Sequence, residues 1–369
     1  MSDAVLVTGA FGLVGSAVVK TLAAGGRTVV ATDLDVPGNR KAAAALPASV
    51  QVRWADLTDA AAVDALVAAV APAAIIHLAA IIPPFCYMRR GLARKVNVEA
   101  TASLLRAAEA QSTPPRFVQA SSIAVYGARN PHHIDDVLTP DTPVNPSDIY
   151  GAHKVEAEGL VRASNLDWLI LRLGGVMSSE FSLGIDVDLI SFESVLPADG
   201  RLQTVDVRDV AAAFVAATTV PTETANHEVL LIGGDAETHR HIQSAVGSQA
   251  AAAMGIKGGL PIGRPGNPDD DTAWFATDWM DTRRSQEALG FQHHSWPQLL
   301  ADTRANAGFK RFPIGLAAPL IRAFLRSKSA YKDYPGQLAD PWNAIDKKWG
   351  DHRADERSRE EHDTDGSQA

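Results

Sequence analysis

Tyr150 and Lys154, in the run Tyr150-Gly151-Ala152-His153-Lys154, are the residues of this chain best spaced to do chemistry. They lie in a stretch whose apolar positions Val155, Leu160 and Val161 fit a helix, with Ser147 placed to cap it after Pro146. Residues four apart share a helix face, so the phenol and the ammonium can enter one site. A free tyrosine ionises near ~10 and is a poor base at neutral pH. Bringing that value to about 7 takes roughly 4 kcal/mol. A cation ~4 Å away, at an effective dielectric near 20, supplies about that much. The pair therefore predicts a tyrosine that gives and takes a hydroxyl proton. An isolated Tyr–Lys pair more often decorates a surface helix, and it is the N-terminal segment that decides against that reading.

There, Thr8-Gly9-Ala10-Phe11-Gly12-Leu13-Val14-Gly15 joins an apolar strand pattern (Ala4, Val5, Leu6, Val7) to a helical one (Leu13, Ala17, Val18, Leu22). A glycine-rich turn at such a junction cradles a pyrophosphate. Gly9 permits the tight turn, Gly12 lets the backbone approach the phosphates, and Gly15 lets helix and strand pack closely. The helix start offers unpaired N–H groups and the positive end of its dipole. Asp33 closes a second apolar run, Thr28 to Thr32, at the distance expected of a carboxylate that binds the adenosine ribose. It would repel a 2′-phosphate carrying roughly −1.5 to −2 charges. These features predict NAD rather than NADP. Arg40, the cation that could hold such a phosphate, is expected on the solvated start of the next helix. An oxidised nicotinamide would be a second cation near Tyr150.

With these motifs, the chain from Met1 to about Gly234 resembles the extended short-chain dehydrogenase/reductases of the NAD-dependent epimerase/dehydratase type. Beyond the glycines, the resemblance is carried by Asp56-Leu57, by His77-Leu78-Ala79-Ala80 and by Asn97 between Val96 and Val98. It continues through Ser122 in Ser121-Ser122-Ile123-Ala124-Val125-Tyr126-Gly127, the Tyr150–Lys154 pair and Val205-Asp206-Val207-Arg208-Asp209-Val210-Ala211. The resemblance implies that Tyr150 is the acid/base, that Lys154 lowers its pKa and holds the ribose, and that Ser122 orients the substrate oxygen. It implies cofactor contacts at Gly9, Phe11, Gly12, Leu13, Gly15, Asp33, Asp56, Leu57, Leu78, Ala79, Ala80 and Asn97, with Tyr150 and Lys154. It also implies a homodimer built on the helices near 92–110 and 148–163.

Simpler roles compete at several positions. His77 is more often a structural residue beside the cofactor than a catalyst, and Asn97 could serve buried backbone groups alone. Ser121 is an equally good hydroxyl by composition, and only the family spacing to Val125-Tyr126 favours Ser122. Tyr126 lacks a lysine four residues on. Asp209 is expected to cap a helix starting at Val210. His132-His133 and His293-His294 have no carboxylate or cysteine at ligand spacing, so no metal is expected.

The chain also departs from the family pattern. Dehydratases place Thr-Asp-Glu where Ser122-Ile123-Ala124 stands, so no acid is available to expel water. Leu171-Arg172-Leu173 leads into Gly174-Gly175-Val176-Met177 without the Asn-hydrophobic-Tyr-Gly-Pro turn of sugar-nucleotide enzymes. Leu202 occupies the place of their diphosphate-binding arginine, with Arg201 beside it. The loop Ile81-Ile82-Pro83-Pro84-Phe85-Cys86-Tyr87 is apolar; it suits a greasier alcohol or ketone, or else simply packs a lid. The expectation is an NAD-dependent oxidoreductase or epimerase transferring hydride at a secondary alcohol carbon, with a nucleotide sugar as the small-molecule substrate. The alternative is a dehydrogenase of a less polar alcohol or ketone, of hydroxysteroid-dehydrogenase type. A non-catalytic NAD sensor is disfavoured because Tyr150 and Lys154 are both present.

The elements that must position these residues follow from the alternation of strand and helix patterns. They predict an α/β fold, a doubly wound parallel (Rossmann) sheet with a smaller C-terminal substrate domain. Strands are expected at 3–8, 27–33, 50–54, 73–79, 116–121 and 167–173, with 228–232 returning later. Residues 1–175, with 201–234 returning to them, would bind NAD. Residues 176–200 and 235–330 would bind substrate, with 258–271 a loop. Residues 331–369 would form an extension, disordered from about 351 where charged residues dominate. Hydrophobic residues make up 46% of the 369, ample for a core, and the net charge of −9 argues against nucleic-acid binding. A single cysteine, Cys86, rules out an internal disulfide framework. The first strand begins at Ala4, leaving no room for a signal peptide, and no apolar run reaches the ~18 residues of a membrane span. A cytoplasmic enzyme is the expectation. Finally, Phe309, Phe312, Leu316, Leu320 and Phe324 fall on one side of a helix with Arg311, Arg322 and Arg326 opposite. A basic amphipathic stretch over 309–326 can lie on a membrane surface. Pro319 is expected to interrupt such a helix, so packing against the protein body is preferred.

Overall fold

The computed structural model describes residues 3–180, 187–260 and 263–353. Seven strands, β1 (Val5–Thr8), β2 (Val29–Asp33), β3 (Val50–Trp54), β4 (Ala74–His77), β5 (Arg116–Ser122), β6 (Trp168–Leu173) and β9 (Glu228–Ile232), form one sheet. All pairs are parallel and the order is β3-β2-β1-β4-β5-β6-β9. β7 (Gly175–Met177), β8 (Arg201–Asp206) and β10 (Arg240–Ile242) form a separate three-stranded sheet in the order β10-β8-β7. The fold is thus the expected doubly wound sheet with a smaller second sheet. The expected return of 201–234 divides: β8 joins the small sheet, whereas β9 pairs with β6.

Strand periodicity explains the two layers. Successive side chains point to opposite faces. Val5, Val7, Ala74, Ile76, Val118, Leu169 and Leu171 are buried on one face, with Val18, Val19 and Leu22 of the Leu13–Ala24 helix and Val210 and Phe214 of the Val207–Ala217 helix. Leu6, Val30, Ile75, Phe117 and Ile170 are buried on the other, with Val63 and Val67 of the Ala60–Val70 helix and Leu104 of the Ala100–Glu109 helix. A sheet covered on both faces needs apolar side chains on both, which is why its strands read as continuous hydrophobic runs.

Two caps differ from expectation. The Ile149–Ala163 helix is capped by Asp148, whose Oδ1 accepts from Gly151 N at 2.8 Å. Ser147 instead accepts from Ala128 N through its hydroxyl. The late helix begins at Val207 and is capped by Asp206, which accepts from Arg208 N. Asp209, fully buried, binds His293 N, His294 N and the His294 ring, at 2.5 Å for the last. It fastens the 291–295 segment to the cofactor half.

The C-terminal end corrects two expectations. One helix, Arg311–Lys328, runs unbroken through Pro319. Its partly or fully buried residues include Ile314, Ala318, Ile321 and Leu325, so the helix packs on the body through this side and the Phe312–Leu316–Leu320 side faces outward. The chain is also packed past residue 351. His352 is buried, stacks on Trp342 at 4.7 Å between ring centres, and its carbonyl accepts from Ile149 N. Residues 354–369, which hold the rest of the expected disordered tail, lie outside the described residues.

Candidate active site

The sheet order reverses direction between β1 and β4, and ligands of such sheets bind in the crevice beyond the strands' C-terminal ends at that point. The two loops there are the glycine turn and Leu78-Ala79-Ala80, and they touch. Gly9 has φ +62°, and a Cβ on it would meet Ala79 N at 2.7 Å. A Cβ on Gly15 would stand 2.0 Å from the Gly9 carbonyl oxygen, which is backbone and cannot give way. Gly12 is less crowded, with only Gly9 O at 3.4 Å. It is also the N-cap of the Leu13–Ala24 helix and makes no side-chain cap hydrogen bond. The helix thus presents its free N–H groups to the crevice, as anion binding requires.

Asp33 ends β2 beside this turn. Its carboxylate accepts from Phe11 N at 3.2 Å and Leu34 N at 2.8 Å. Arg40 lies exposed in the Pro37–Ala43 helix and is held by Asp35 at 2.5 and 2.7 Å. The carboxylate faces the turn, and the arginine is engaged elsewhere. Asp56 is exposed after β3 and accepts from Thr58, and Leu57 is buried. Together these residues fit NAD: a glycine cradle, a bare helix N-terminus and a ribose-side carboxylate.

Asn97 sits in a π-helical turn, Lys95–Glu99, of the kind that marks functional positions in helices. Its amide accepts from Ile81 N at 2.8 Å and donates to Ile81 O at 3.0 Å, fixing the loop after β4. His77 is clamped between Thr8 Oγ1 (2.7 Å) and Thr101 Oγ1 (3.1 Å). Burial, and then the Lys154 charge, push its pKa down to about 3, so it is neutral and structural.

Ser122, Tyr150 and Lys154 converge from the end of β5 and the first two turns of the Ile149–Ala163 helix. The Ser122 hydroxyl lies near enough to the Tyr150 phenol to lower its pKa, and it accepts from Ala124 N at 3.1 Å. Ser121 points away and donates to Glu158 at 2.6 Å. Lys154 Nζ donates to Ala120 O at 2.9 Å and lies 5.7 Å from the Tyr150 ring centre. Burial lowers the Lys154 pKa to about 8, against a smaller opposing pull from Glu158, so the ammonium survives at neutral pH. The phenol does not follow the expected shift. Burial, then Cys86 and Asp148, raise the Tyr150 pKa, and the nearby Ser122 hydroxyl offsets only part of this. Lys154 alone does not make Tyr150 a base.

Several supporting residues escaped the sequence reading. Glu158, one turn beyond Lys154, forms a buried two-point ion pair with Arg172 of β6 at 2.8 and 2.6 Å. Their signal was the i, i+4, i+8 spacing of Tyr150, Lys154 and Glu158. Tyr126 belongs to the same network, accepting from Arg172 and donating to Thr139 O. Asp148 accepts from the Tyr87 hydroxyl at 2.5 Å, tying the loop after β4 to the Ile149–Ala163 helix. That contact is long-range and left no local pattern.

The histidine doublets do find carboxylates, at sequence distances that local spacing does not reveal. His133 pairs with Asp271 at 2.7 Å, His132 lies 3.6 Å from Asp199, and His294 pairs with Asp209. Each is a one-to-one contact. The cluster with ligand-like spacing among the described residues is Asp346, Asp351 and His352, which includes neither doublet. Asp346 there hydrogen-bonds His352, and Asp351 pairs with Arg90.

A doubly wound sheet, a glycine cradle at its switch point and a Ser–Tyr–Lys set beside it define the dinucleotide-dependent oxidoreductases of the short-chain type. Residues 5–233 match the NAD dependent epimerase/dehydratase family, and the chain belongs to that family. NAD is therefore its cofactor. Over 176 residues it is 34% identical to a dTDP-glucose 4,6-dehydratase of Neisseria gonorrhoeae, covering 43% of this chain and 49% of that protein. The chain spans about half or less of the length of the curated relatives it matches. Its fold is similar to that of the Thermus thermophilus UDP-glucose 4-epimerase in complex with NAD (TM-score 0.65, 22% identity, 82% of this chain and 98% of that one). It is also similar to MoeE5 in complex with UDP-glucuronic acid and NAD (TM-score 0.62, 26% identity, 84% and 99%).

Proposed function

We propose that this chain is an NAD-dependent epimerase of a nucleotide sugar, acting by reversible hydride transfer at a secondary alcohol carbon. The observation that carries the reading is the meeting of Ser122, Tyr150 and Lys154 beside the glycine cradle. Bound NAD supplies the hydride acceptor and, in its oxidised ring, a positive charge. Tyr150 takes the hydroxyl proton as two electrons leave the carbinol carbon as hydride. On the way back Tyr150 returns the proton, and the hydride returns to the other face of the ketone. Ser122 holds the reacting oxygen. Lys154, ionised at neutral pH and fixed by Ala120 O, contributes a cation one turn away. Tyr150 is protonated in the resting site and becomes a base once a second positive charge joins Lys154.

Two features support a nucleotide sugar. Arg129 pairs with both Asp278 at 2.7 Å and Asp136 at 3.0 Å, whereas Arg201 at the start of β8 stands 3.7 Å from Asp278, so Arg201 is the more loosely held cation and the one placed to meet a diphosphate. Cys86 and Tyr87 of the apolar loop pack in a cluster with Phe192, Trp342 and Trp349, so their character reflects packing and does not argue for a greasy substrate. Ser122-Ile123-Ala124 supplies no acid for expelling water, so the activity excludes dehydration. The functional unit is a cytoplasmic homodimer joined through the helices over 92–110 and 148–163.

The test is thermal stabilisation by UDP-, GDP- and dTDP-sugars in the presence of NAD, followed by product analysis. Stabilisation by one of them and its conversion to an epimer, with no net NADH, is expected. Accumulating NADH would make the enzyme a dehydrogenase, and stabilisation by none would remove the nucleotide sugar.

A further inference from the structure

The Arg311–Lys328 helix carries its apolar residues on the wrong side for a packed element. Phe309, just before it, is 90% exposed, Phe312 67%, Leu316 86% and Leu320 76%. Spaced three and four apart, they form one continuous ridge. The residues that hold the helix to the body, Ala318 and Leu325 with Ile314 and Ile321, lie on the opposite side. Exposed apolar residues scattered singly need no explanation, but a row of two phenylalanines and two leucines does.

Charge identifies what covers the ridge. Between Asp302 and Asp333 the chain has no carboxylate and seven cations: Arg304, Lys310, Arg311, Arg322, Arg326, Lys328 and Lys332. The whole protein carries −9, so this stretch stands against the overall sign. An open cleft of about 610 Å³ beside the helix adds Arg264 to Arg326 and Lys332, with Ser248, Ser329 and Tyr331 between them. A second copy of the chain placed on this ridge about a two-fold axis would bring cation against cation. A surface that is apolar in depth and anionic at its rim suits both features. No helix among the described residues is long and apolar enough to cross a membrane.

We infer that the 309–328 segment docks the protein on an anionic phospholipid surface. The helix lies in the interface with Phe309, Phe312, Leu316 and Leu320 among the acyl chains, and the flanking arginines and lysines meet the headgroup phosphates. The inference is independent of the substrate, since the ridge includes none of the residues of the NAD site.

The experiment is co-sedimentation of the full chain with vesicles of phosphatidylcholine alone or mixed equally with phosphatidylglycerol. Binding to the mixed vesicles and not to the neutral ones is expected, weakening with added salt. The triple variant Phe312→Ser, Leu316→Ser, Leu320→Ser should stay in the supernatant while still binding NAD, which shows that it folds. Arg326→Gln with Lys328→Gln should weaken binding by roughly fivefold per charge. No sedimentation with the mixed vesicles would overturn the inference, as would equal binding by the triple variant. Loss of an oligomer in that variant, with no vesicle binding by the parent, would assign the ridge to a second copy instead.

Discussion

The seven-stranded sheet and the Arg311–Lys328 helix are both rich in apolar residues, yet they use them in opposite ways. In the sheet, residues on both faces are buried, and the glycine turn at its C-terminal edge brings backbone up to the crevice with no side chain in the way. In the helix, one apolar side is buried and the other stands in water between cations. A pattern of apolar spacing reports that a face must be covered. It does not report which neighbour covers it. For the sheet the neighbours are other parts of the chain, and for the helix ridge we infer that they are lipid.

The largest effect expected anywhere in the molecule is at the centre of the cofactor half. Tyr150→Phe removes only the ionisable oxygen, so turnover should fall by roughly 10²–10⁴-fold or more, the usual worth of a positioned acid/base. NAD affinity should stay near that of the parent, because the glycine cradle and Asp33 are untouched. Steady-state rates beside calorimetric NAD binding separate the two effects. Activity within tenfold of the parent would send the proton elsewhere.

The contrast also governs what could be read from sequence. β2 through β6 fall within one or two residues of expectation, because parallel strands buried on two faces leave uninterrupted apolar runs. The glycine turn and the Tyr150–Lys154 pair were legible because their spacing is local. Contacts that fold distant segments together were not. The Asp209 link to His294, the Tyr87 link to Asp148 and the His352 carbonyl on Ile149 N join residues 61 to 203 positions apart. Asp209 read as a helix cap because Asp before a helical run usually is one. Here Asp206 had taken that place, leaving Asp209 free to bind the 291–295 segment. The continuity of the helix over 311–328 was missed for another reason. Pro319 lies on the exposed side, where water can satisfy the carbonyl it strands, so the helix continues.

Next in size is Gly15→Ala. The new methyl would sit 2.0 Å from Gly9 O and 2.8 Å from Ala10 Cα, so the turn must move. Overpacking of this kind costs about 1–3 kcal/mol. Both denaturation midpoint and NAD affinity should fall. A variant that binds NAD normally would show that close helix–strand contact is not what this glycine provides.

A buried cation distinguishes the two halves in a pH experiment. The Lys154 pKa is lowered to about 8 by burial, below its ordinary 10.5. Below pH 8 both folded and unfolded chains carry the charge, and the folded state bears its full desolvation cost. As pH rises from 8 toward 10.5, the folded state sheds the proton while the unfolded state keeps it, so stability rises. Lys154→Met has no such proton. Its stability relative to the parent should therefore be greatest near pH 7 and decline by roughly 1–2 kcal/mol by pH 9.5. Urea denaturation of apo protein at the two pH values measures this. A difference that does not change with pH would mean that Lys154 is hydrated.

The smallest effect expected is a gain, and it sharpens the comparison from the other side. Gly247 lies inside the Gln243–Ala253 helix, and a Cβ on it would meet only Leu260 Cδ1, at 4.0 Å. Its backbone is helical, with none of the positive φ that reserves Gly9 for glycine. Glycine within a helix costs backbone entropy that alanine does not, so Gly247→Ala should stabilise the protein by about 0.5–1 kcal/mol. NAD affinity should be unchanged. The same substitution thus has opposite signs at residues 15 and 247, because at one position the backbone occupies the space of the methyl and at the other that space is open. Destabilisation by Gly247→Ala would mean that this helix sits closer to its neighbours than the 4.0 Å contact implies.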